Sequence, residues 1–208
     1  MNYYFLSDFH LGVPNLVKSQ EREKRIVAFL DEIKSDAKAV FLVGDLFDFW
    51  FEYKYTIPKG YVRLLGKLAE MVDAGIEVHV FTGNHDMWMF GYLESEIGVK
   101  LHKKPIFLTL NNKNFMIGHG DGLGPGDHGY KLIKKVFSNP VCQWLFARLH
   151  PNFSFGLANY WSKRSRLANG DSDEVYTGDE NEYLVQFTRN FPQDKNIHYF
   201  ISVTVTFL

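Results

Sequence analysis

An α/β fold built on a parallel sheet is the fold class that this 208-residue sequence predicts. Two observations point to it: continuous apolar runs alternate with segments of helical spacing, and each run is followed by glycine and polar residues. A run that is apolar throughout is typical of a strand buried on both faces of a parallel sheet. Ligands of such sheets bind beyond the carboxyl ends of the strands, so these polar residues are candidates for a site.

The first half of the sequence contains the strand–helix alternation. Val40 to Val43 is apolar at every position, whereas Ile26, Phe29 and Ile33 recur at helical spacing between charged residues. The predicted elements are a strand at 3–7, a helix at 19–35, a strand at 39–43, a helix at 59–74 and a strand at 76–81. A fourth strand is predicted at 115–117. We therefore expect four strands to deliver polar residues to one edge.

The segment 122–167 has a different character and predicts a helical lid inserted into a single domain of residues 1–208. Aromatic side chains such as Trp144 and Phe153 alternate there with cations such as Lys134 and Arg148. An acidic loop is expected at 170–178, a helix at 179–190 and a last strand at 197–201.

Composition excludes several classes of protein. The formal net charge of −1 gives no general attraction to nucleic acid, so no nucleic-acid partner is predicted. The single cysteine, Cys142, allows no internal disulfide and favours a reducing compartment. No signal peptide or membrane-spanning run is visible. We expect a cytoplasmic protein, with an amphipathic lid that could rest on the inner membrane as a peripheral contact.

Polar residues that suit metal binding follow each of the four predicted strands. Hydrolysis of a phosphate ester needs an attacking oxygen and neutralisation of phosphoryl charge, and two close divalent ions supply both. Such a pair needs a bridging carboxylate with imidazole and oxygen ligands around it. Each motif alone is more often a turn, but the ordered set predicts a two-metal site. The motifs are Asp8-Phe9-His10, Gly44-Asp45-Leu46-Phe47-Asp48, Gly83-Asn84-His85-Asp86 and Gly118-His119-Gly120-Asp121.

This order of motifs resembles the calcineurin-like metallophosphoesterase superfamily, and within it the UDP-2,3-diacylglucosamine pyrophosphatases of lipid A biosynthesis. The resemblance implies a four-layer αββα sandwich and two divalent metal ions. The mixture of nitrogen and oxygen ligands suits Mn²⁺, with Fe or Zn²⁺ as alternatives. By resemblance, Asp8 and His10 bind the first metal, Asp45 bridges both, and Asn84 and His119 bind the second. His85, beside Asn84, would act at the scissile phosphate. Carboxylates that could orient ligand histidines are Asp48, Asp86 and Asp121.

Two features depart from the family pattern. The lipid A enzymes often carry arginine where His85 stands. The pattern also ends in Gly-His-x-His after the last strand, whereas this sequence continues Ser202-Val203-Thr204-Val205-Thr206. One added T in a possible codon set for 201–207 restores Ile-Phe-Gly-His-Arg-His-Phe, so a single-base deletion is one explanation. We expect an incomplete metal site and reduced activity, and sequencing the DNA would test the frameshift.

Three functions remain open at this stage. The first is hydrolysis of UDP-2,3-diacylglucosamine to lipid X and UMP, with a lipid-linked nucleotide sugar as substrate. The second is hydrolysis of a soluble phosphodiester or phosphomonoester by a related enzyme. The third is a non-catalytic binding protein with a degraded site. Candidate substrate contacts in and near the lid are Asp127, Tyr130, Ser162, Lys163, Arg164 and Arg166.

Overall fold

The chain folds into two compact units, Met1–Pro105 and Ile106–Leu208. They are seen in a computed structural model that describes residues 1–126, 128–169, 178–180, 182–192 and 196–203. Each unit contains one β-sheet and its own helices. The α/β class predicted from the sequence is therefore confirmed.

The first unit is built on a four-stranded parallel sheet. Its strands are Asn2–Leu6 (β1), Ala37–Val43 (β2), Glu77–Phe81 (β3) and Lys100–His102 (β4). They lie side by side in chain order, because each crossover carries the chain to the next position in the sheet. The connecting helices are Leu16–Ile33 (α1), Val62–Asp73 (α2) and Tyr92–Ile97 (α3).

A hydrophobic core lies between one face of this sheet and the helices. Alternate residues of the central strands, such as Val40, Leu42 and Val80, pack in one cluster with Leu30 of α1 and Leu68 of α2. All five are completely buried. This packing fixes the strand register, so the loops that follow β1, β2 and β3 start from set positions.

The second unit contains a three-stranded sheet. Its strands are Ile106–Leu110 (β5), Lys113–Ile117 (β6) and Tyr199–Ile201 (β7), with β6 antiparallel to β5 and parallel to β7. Its helices are His128–Phe137 (α4), Pro140–Phe146 (α5), Pro151–Asn169 (α6) and Tyr183–Arg189 (α7). Helices α4 to α6 fill the segment predicted as a lid. That this segment is an insertion stays a prediction.

Some elements differ from those expected. The strand before His119 is β6, which belongs to the second sheet, so only three of the four strands predicted to precede the metal-binding motifs share a parallel sheet. Helix α2 begins at Val62 and not at residue 59, because Tyr61 has a left-handed backbone with φ of 58°. Strands β4 and β5 and helix α3 were not expected. None of the described helices is both long enough and apolar enough to cross a bilayer.

A candidate metal centre in the loops after β1, β2 and β3

The loops that follow β1 and β2 run side by side. The backbone amide of Asp8 donates to Gly44 O at 3.2 Å, and that of His10 donates to Asp45 O at 2.9 Å. Asp8, His10 and Asp45 all have left-handed backbones, with φ of 55°, 41° and 53°. Non-glycine residues rarely adopt this conformation, and strain of this kind is concentrated at functional sites.

Three side chains converge where these loops meet. His10 Nε2 lies 3.6 Å from Asp8 Oδ1 and 3.9 Å from Asp45 Oδ2. One donor atom from each of the three lies within 4.8 Å of the others. Asp45 is fully buried, whereas the Asp8 and His10 side chains keep 35% and 28% exposure. The cluster is therefore open to solvent on the Asp8 side.

The donor set fits a divalent cation. Two carboxylates and an imidazole supply the mixed oxygen and nitrogen ligands that Mn²⁺, Fe and Zn²⁺ accept. Burying the Asp45 carboxylate is costly without a compensating positive group or hydrogen bonds. The buried Nδ1 of His10 has no hydrogen-bond partner in the described part of the chain. Either ring nitrogen of His10 could therefore serve as the ligand atom for a metal ion.

His85 brings the loop after β3 to the same cluster. Its backbone amide donates to Asp45 Oδ1 at 2.9 Å, and its ring lies edge-on to the His10 ring with centroids 4.9 Å apart. His85 Nδ1 is hydrogen-bonded to the Asp48 carbonyl oxygen at 3.1 Å and lies 3.7 Å from Asp48 Oδ1. Donor atoms of His10, Asp48 and His85 form a second group that could hold an ion. Asn84, half-buried, immediately precedes His85 in this loop.

Gly83 allows the close approach of these loops. A Cβ at this position would lie 2.1 Å from Asp45 Oδ1 and 2.6 Å from Asp45 N. Any larger residue would push the loop after β3 away from Asp45. The sequence motif that begins with Gly83 therefore has a steric reason for its first residue.

Asp86 links the loops through the backbone. This residue is fully buried, and its Oδ1 accepts from Gly83 N at 2.7 Å. Its Oδ2 accepts from Leu46 N at 2.7 Å and from Phe47 N at 3.3 Å. One carboxylate thus holds the loop after β2 to the loop after β3. The sequence predicted that Asp86 could orient a ligand histidine. If it does so, it acts through these backbone amides.

No motif in the sequence pointed to the side chains that hold the loop after β1. Arg22 and Ser19 on α1, together with Tyr61 before α2, hydrogen-bond to the backbone of residues 9–12. Burial raises the pKa of the Tyr61 phenol to about 12, with help from the negative charges of Asp48 and Glu23, so the hydroxyl keeps its proton. Because these residues bond to main-chain atoms, no spacing rule for metal ligands could have identified them.

His119 lies in the second unit, directly after β6, and is 3% exposed. Its carbonyl oxygen accepts from Val203 N at 2.9 Å, and Gly118 N donates to Ile201 O at 3.1 Å. Nearby, Asp121 accepts hydrogen bonds from the Tyr130 hydroxyl and from Lys134 Nζ. The loop after β6 is therefore attached both to β7 and to helix α4.

The residues predicted to contact substrate are only partly described. Tyr130 on α4 is 6% exposed, with its hydroxyl on Asp121. Ser162 is half-buried on α6. Asp127 lies outside the described residues. Three basic residues belong to α6, but their side chains lie outside what is described: Lys163, Arg164 and Arg166.

The fold and the site define a class of hydrolase. The family model for calcineurin-like phosphoesterases matches residues 1–197, and the chain belongs to this family. A UDP-2,3-diacylglucosamine hydrolase of Porphyromonas gingivalis is 39% identical over 197 residues, which cover 89% of this chain and 75% of the relative. The enzyme of the same name from Actinobacillus succinogenes is 30% identical over 175 residues, covering 83% and 72% of the two chains. Family membership was predicted from the order of the motifs and is confirmed.

Proposed function

We propose that this protein hydrolyses UDP-2,3-diacylglucosamine to lipid X and UMP with the help of two divalent metal ions. The observation that carries the proposal is the convergence of Asp8, His10 and Asp45, whose donor atoms lie within 4.8 Å of one another. The names of the two relatives support the choice of substrate.

The residues that would hold the ions are those predicted from the motifs. Asp8 and His10 would bind one ion, Asp45 would bridge, and Asn84 and His119 would bind the other. Mn²⁺ suits this mixture of oxygen and nitrogen ligands, with Fe or Zn²⁺ as alternatives. When bound, such ions lower the pKa of a water molecule and neutralise charge on the phosphoryl oxygens.

The reaction joins a water oxygen to one phosphorus of the pyrophosphate. The bond from that phosphorus to the bridging oxygen breaks, and its electron pair leaves with the departing phosphate. Of the two water protons, one is removed as the water attacks and one ends on a product phosphate or in solvent. Hydrolysis with this balance gives UMP and the 1-phosphate of the diacylated glucosamine.

We propose that His85, in its protonated form, acts as a hydrogen-bond donor in this step. Because a carbonyl oxygen can only accept, the contact with Asp48 O requires the proton on Nδ1. The neutral ring then has Nε2 free of a proton, and the protonated ring can donate from Nε2. We propose that Nε2 donates a hydrogen bond to the phosphoryl group and stabilises its charge.

Helices α4 to α6 support an apolar, lipid-linked substrate. They expose large apolar side chains, with Leu132 65% exposed, Trp144 56% and Phe153 61%. Lys135 on α4 and Arg148 after α5 are exposed and supply positive charge on the same segment. Exposed apolar side chains together with cations suit acyl chains and phosphates, and also the surface of an anionic membrane. We therefore propose peripheral contact with the inner membrane from the cytoplasmic side.

A second candidate is hydrolysis of a soluble phosphodiester or phosphomonoester. The observation that favours it is His85, which stands where the lipid A enzymes often carry arginine. A binding protein without catalysis is the third candidate. The three candidates share the fold, so they must be separated by activity.

The deciding experiment is to incubate the full chain with UDP-2,3-diacylglucosamine and Mn²⁺ and to measure UMP release. We expect UMP with wild-type protein, at a lower rate than with a relative that carries the Gly-His-x-His motif, none with EDTA, and at least a further hundredfold loss with Asp45→Asn. Asp73→Asn is the matched control, because Asp73 is an exposed acid on α2. Hydrolysis of bis-(p-nitrophenyl) phosphate without UMP release would favour the second candidate. Binding of the lipid substrate without turnover would favour the third.

A further inference from the structure

The ligand loop, defined here as residues 7–12, is held by side chains from outside it. One nitrogen of Arg22, Nη1, donates to the carbonyl oxygens of Phe9 and His10, both at 2.9 Å. Ser19 Oγ accepts from Gly12 N at 2.8 Å, and the Tyr61 hydroxyl donates to Leu11 O at 3.2 Å. The loop therefore has side-chain partners on both sides of His10.

Arg22 makes the most specific of these contacts. The carbonyls of residues 9 and 10 belong to the two peptide planes that flank the His10 α-carbon. A single donor atom that binds both oxygens fixes the relative orientation of these planes, and hence φ and ψ of His10. The φ of His10 is 41°, a conformation that non-glycine residues rarely adopt without external support. The bonds are charge-assisted, which makes them stronger than bonds between neutral groups.

We infer that Arg22 is a positioning residue of the metal centre, which locks the left-handed backbone of His10 so that its imidazole meets Asp8 and Asp45. The inference rests on the proposed metal-dependent function. Arg22 is half-buried on α1 and acts through the backbone. With other φ and ψ values at His10, Nε2 would leave its place 3.6 Å from Asp8 Oδ1 and 3.9 Å from Asp45 Oδ2.

A positioning role and a purely electrostatic role of Arg22 predict opposite changes in metal affinity when the residue is removed. A cation close to two bound dications repels them, so removal of Arg22 would strengthen metal binding if charge alone mattered. Loss of positioning weakens metal binding, typically 10–100-fold for residues that orient ligands. The direction of the change in Mn²⁺ affinity therefore separates the two roles.

The test measures binding of Mn²⁺ alone to the full chain, by the electron paramagnetic resonance signal of free Mn²⁺. The variants are Arg22→Met, Arg22→Gln and Arg22→Lys, and circular dichroism in EDTA checks that each is folded. Arg25→Met is the matched control, because Arg25 is an exposed arginine on the same helix. If Arg22→Met does not fold, Arg22→Gln, which keeps a polar side chain of high helix propensity, takes its place.

We expect Arg22→Met and Arg22→Gln to raise the dissociation constant for at least one Mn²⁺ by 10–100-fold. Arg22→Lys should recover part of the loss, because one nitrogen makes both bonds, and Arg25→Met should stay within about twofold of wild type. Equal or tighter binding by folded Arg22→Gln, or weaker binding by Arg22→Lys than by Arg22→Gln, would overturn the inference. If wild-type protein bound no Mn²⁺, the proposed function would fail as well. If wild-type protein bound Mn²⁺ and the Arg22 variants bound it with the same affinity, the inference alone would fail.

Discussion

Replacing Asp86 by asparagine tests whether one buried carboxylate holds two loops of the candidate metal centre together. Its Oδ1 accepts from Gly83 N, and its Oδ2 accepts from Leu46 N and Phe47 N. Asparagine has the same size but only one acceptor oxygen, and its NH₂ group can only donate. In the better orientation, the oxygen serves Leu46 and Phe47 while the NH₂ group faces the amide of Gly83.

The size of the effect follows from these contacts. A hydrogen bond to a charged acceptor contributes about 1.5–3 kcal/mol, and a buried donor left without an acceptor costs about 1–3 kcal/mol. Asp86→Asn loses the bond from Gly83 N, which is 2.7 Å long, and weakens the other two. We expect a loss of about 3 kcal/mol in the free energy of unfolding. For a chain of this length, that corresponds to a melting temperature lower by about 6–12 °C.

The assay is thermal unfolding in EDTA, so that metal binding does not contribute to the measured stability. Asp73→Asn makes the same chemical change at an exposed position of α2 and should alter the melting temperature by less than about 2 °C. A shift for Asp86→Asn no larger than that of the control would refute the reasoning. It would mean that the carboxylate does not hold the three amides in solution.

Three further predictions concern backbone conformation, protonation and packing. Because Asp45 has φ of 53°, Asp45→Gly should be more stable than Asp45→Ala by about 1 kcal/mol, the reverse of the order in a helix; urea unfolding of both measures this. Burial, and next the charge of His79, lower the pKa of His102 from 6.5 to about 4. The unfolded chain therefore binds more protons between these values, and the free energy of unfolding should fall by about 2–3 kcal/mol as the pH drops from 6.5 to 4. In His102→Asn this part of the pH dependence should be absent from denaturation curves, and an unchanged slope would contradict the assignment. A Cβ at Gly124 would lie 2.3 Å from the carbonyl oxygen of Tyr183 at a φ of +80°, so Gly124→Ala should lower the melting temperature by several degrees, whereas Gly156→Ala, in open space on α6, should not.

The sequence predicted those parts of the fold that carry a local signal. Strand β2 contains the apolar run 39–43, and β3 contains Val78, Val80 and Phe81. Glycine or polar residues follow both strands, and their parallel pairing brings the following loops together. Strand β4 has no such signal, because Lys100–His102 contains a single apolar residue and becomes a strand only by pairing with β3. The pairing of β6 with β5 does carry a local signal, because Asn111 and Asn112 form a two-residue hairpin turn with positive φ at both residues. The pairing of β6 with β7 has none, because β7 lies far along the chain.

Part of the candidate site could be predicted from the sequence and part could not. Asp8, His10 and Asp45 were predicted to meet from strand order and motif chemistry, and their side chains do converge in the first unit. Their role as metal ligands stays a prediction. Arg22 could not be anticipated, because it bonds to carbonyl oxygens, and every residue type offers the same carbonyl. Side chains that act on the backbone leave no pattern in the spacing of ligands.

The left-handed residues of the first unit are supported by contacts within the protein. Left-handed residues cost of order 1–3 kcal/mol each, and Asp8, His10 and Asp45 all have this conformation. The bonds from Arg22 and the three amides on Asp86 are each of a strength that offsets such a cost. Since these contacts involve no metal, the strain is supported by the protein itself. If these residues bind metal as proposed, support of this kind would lower the cost of ordering the loops, which is how a preorganised site gains affinity.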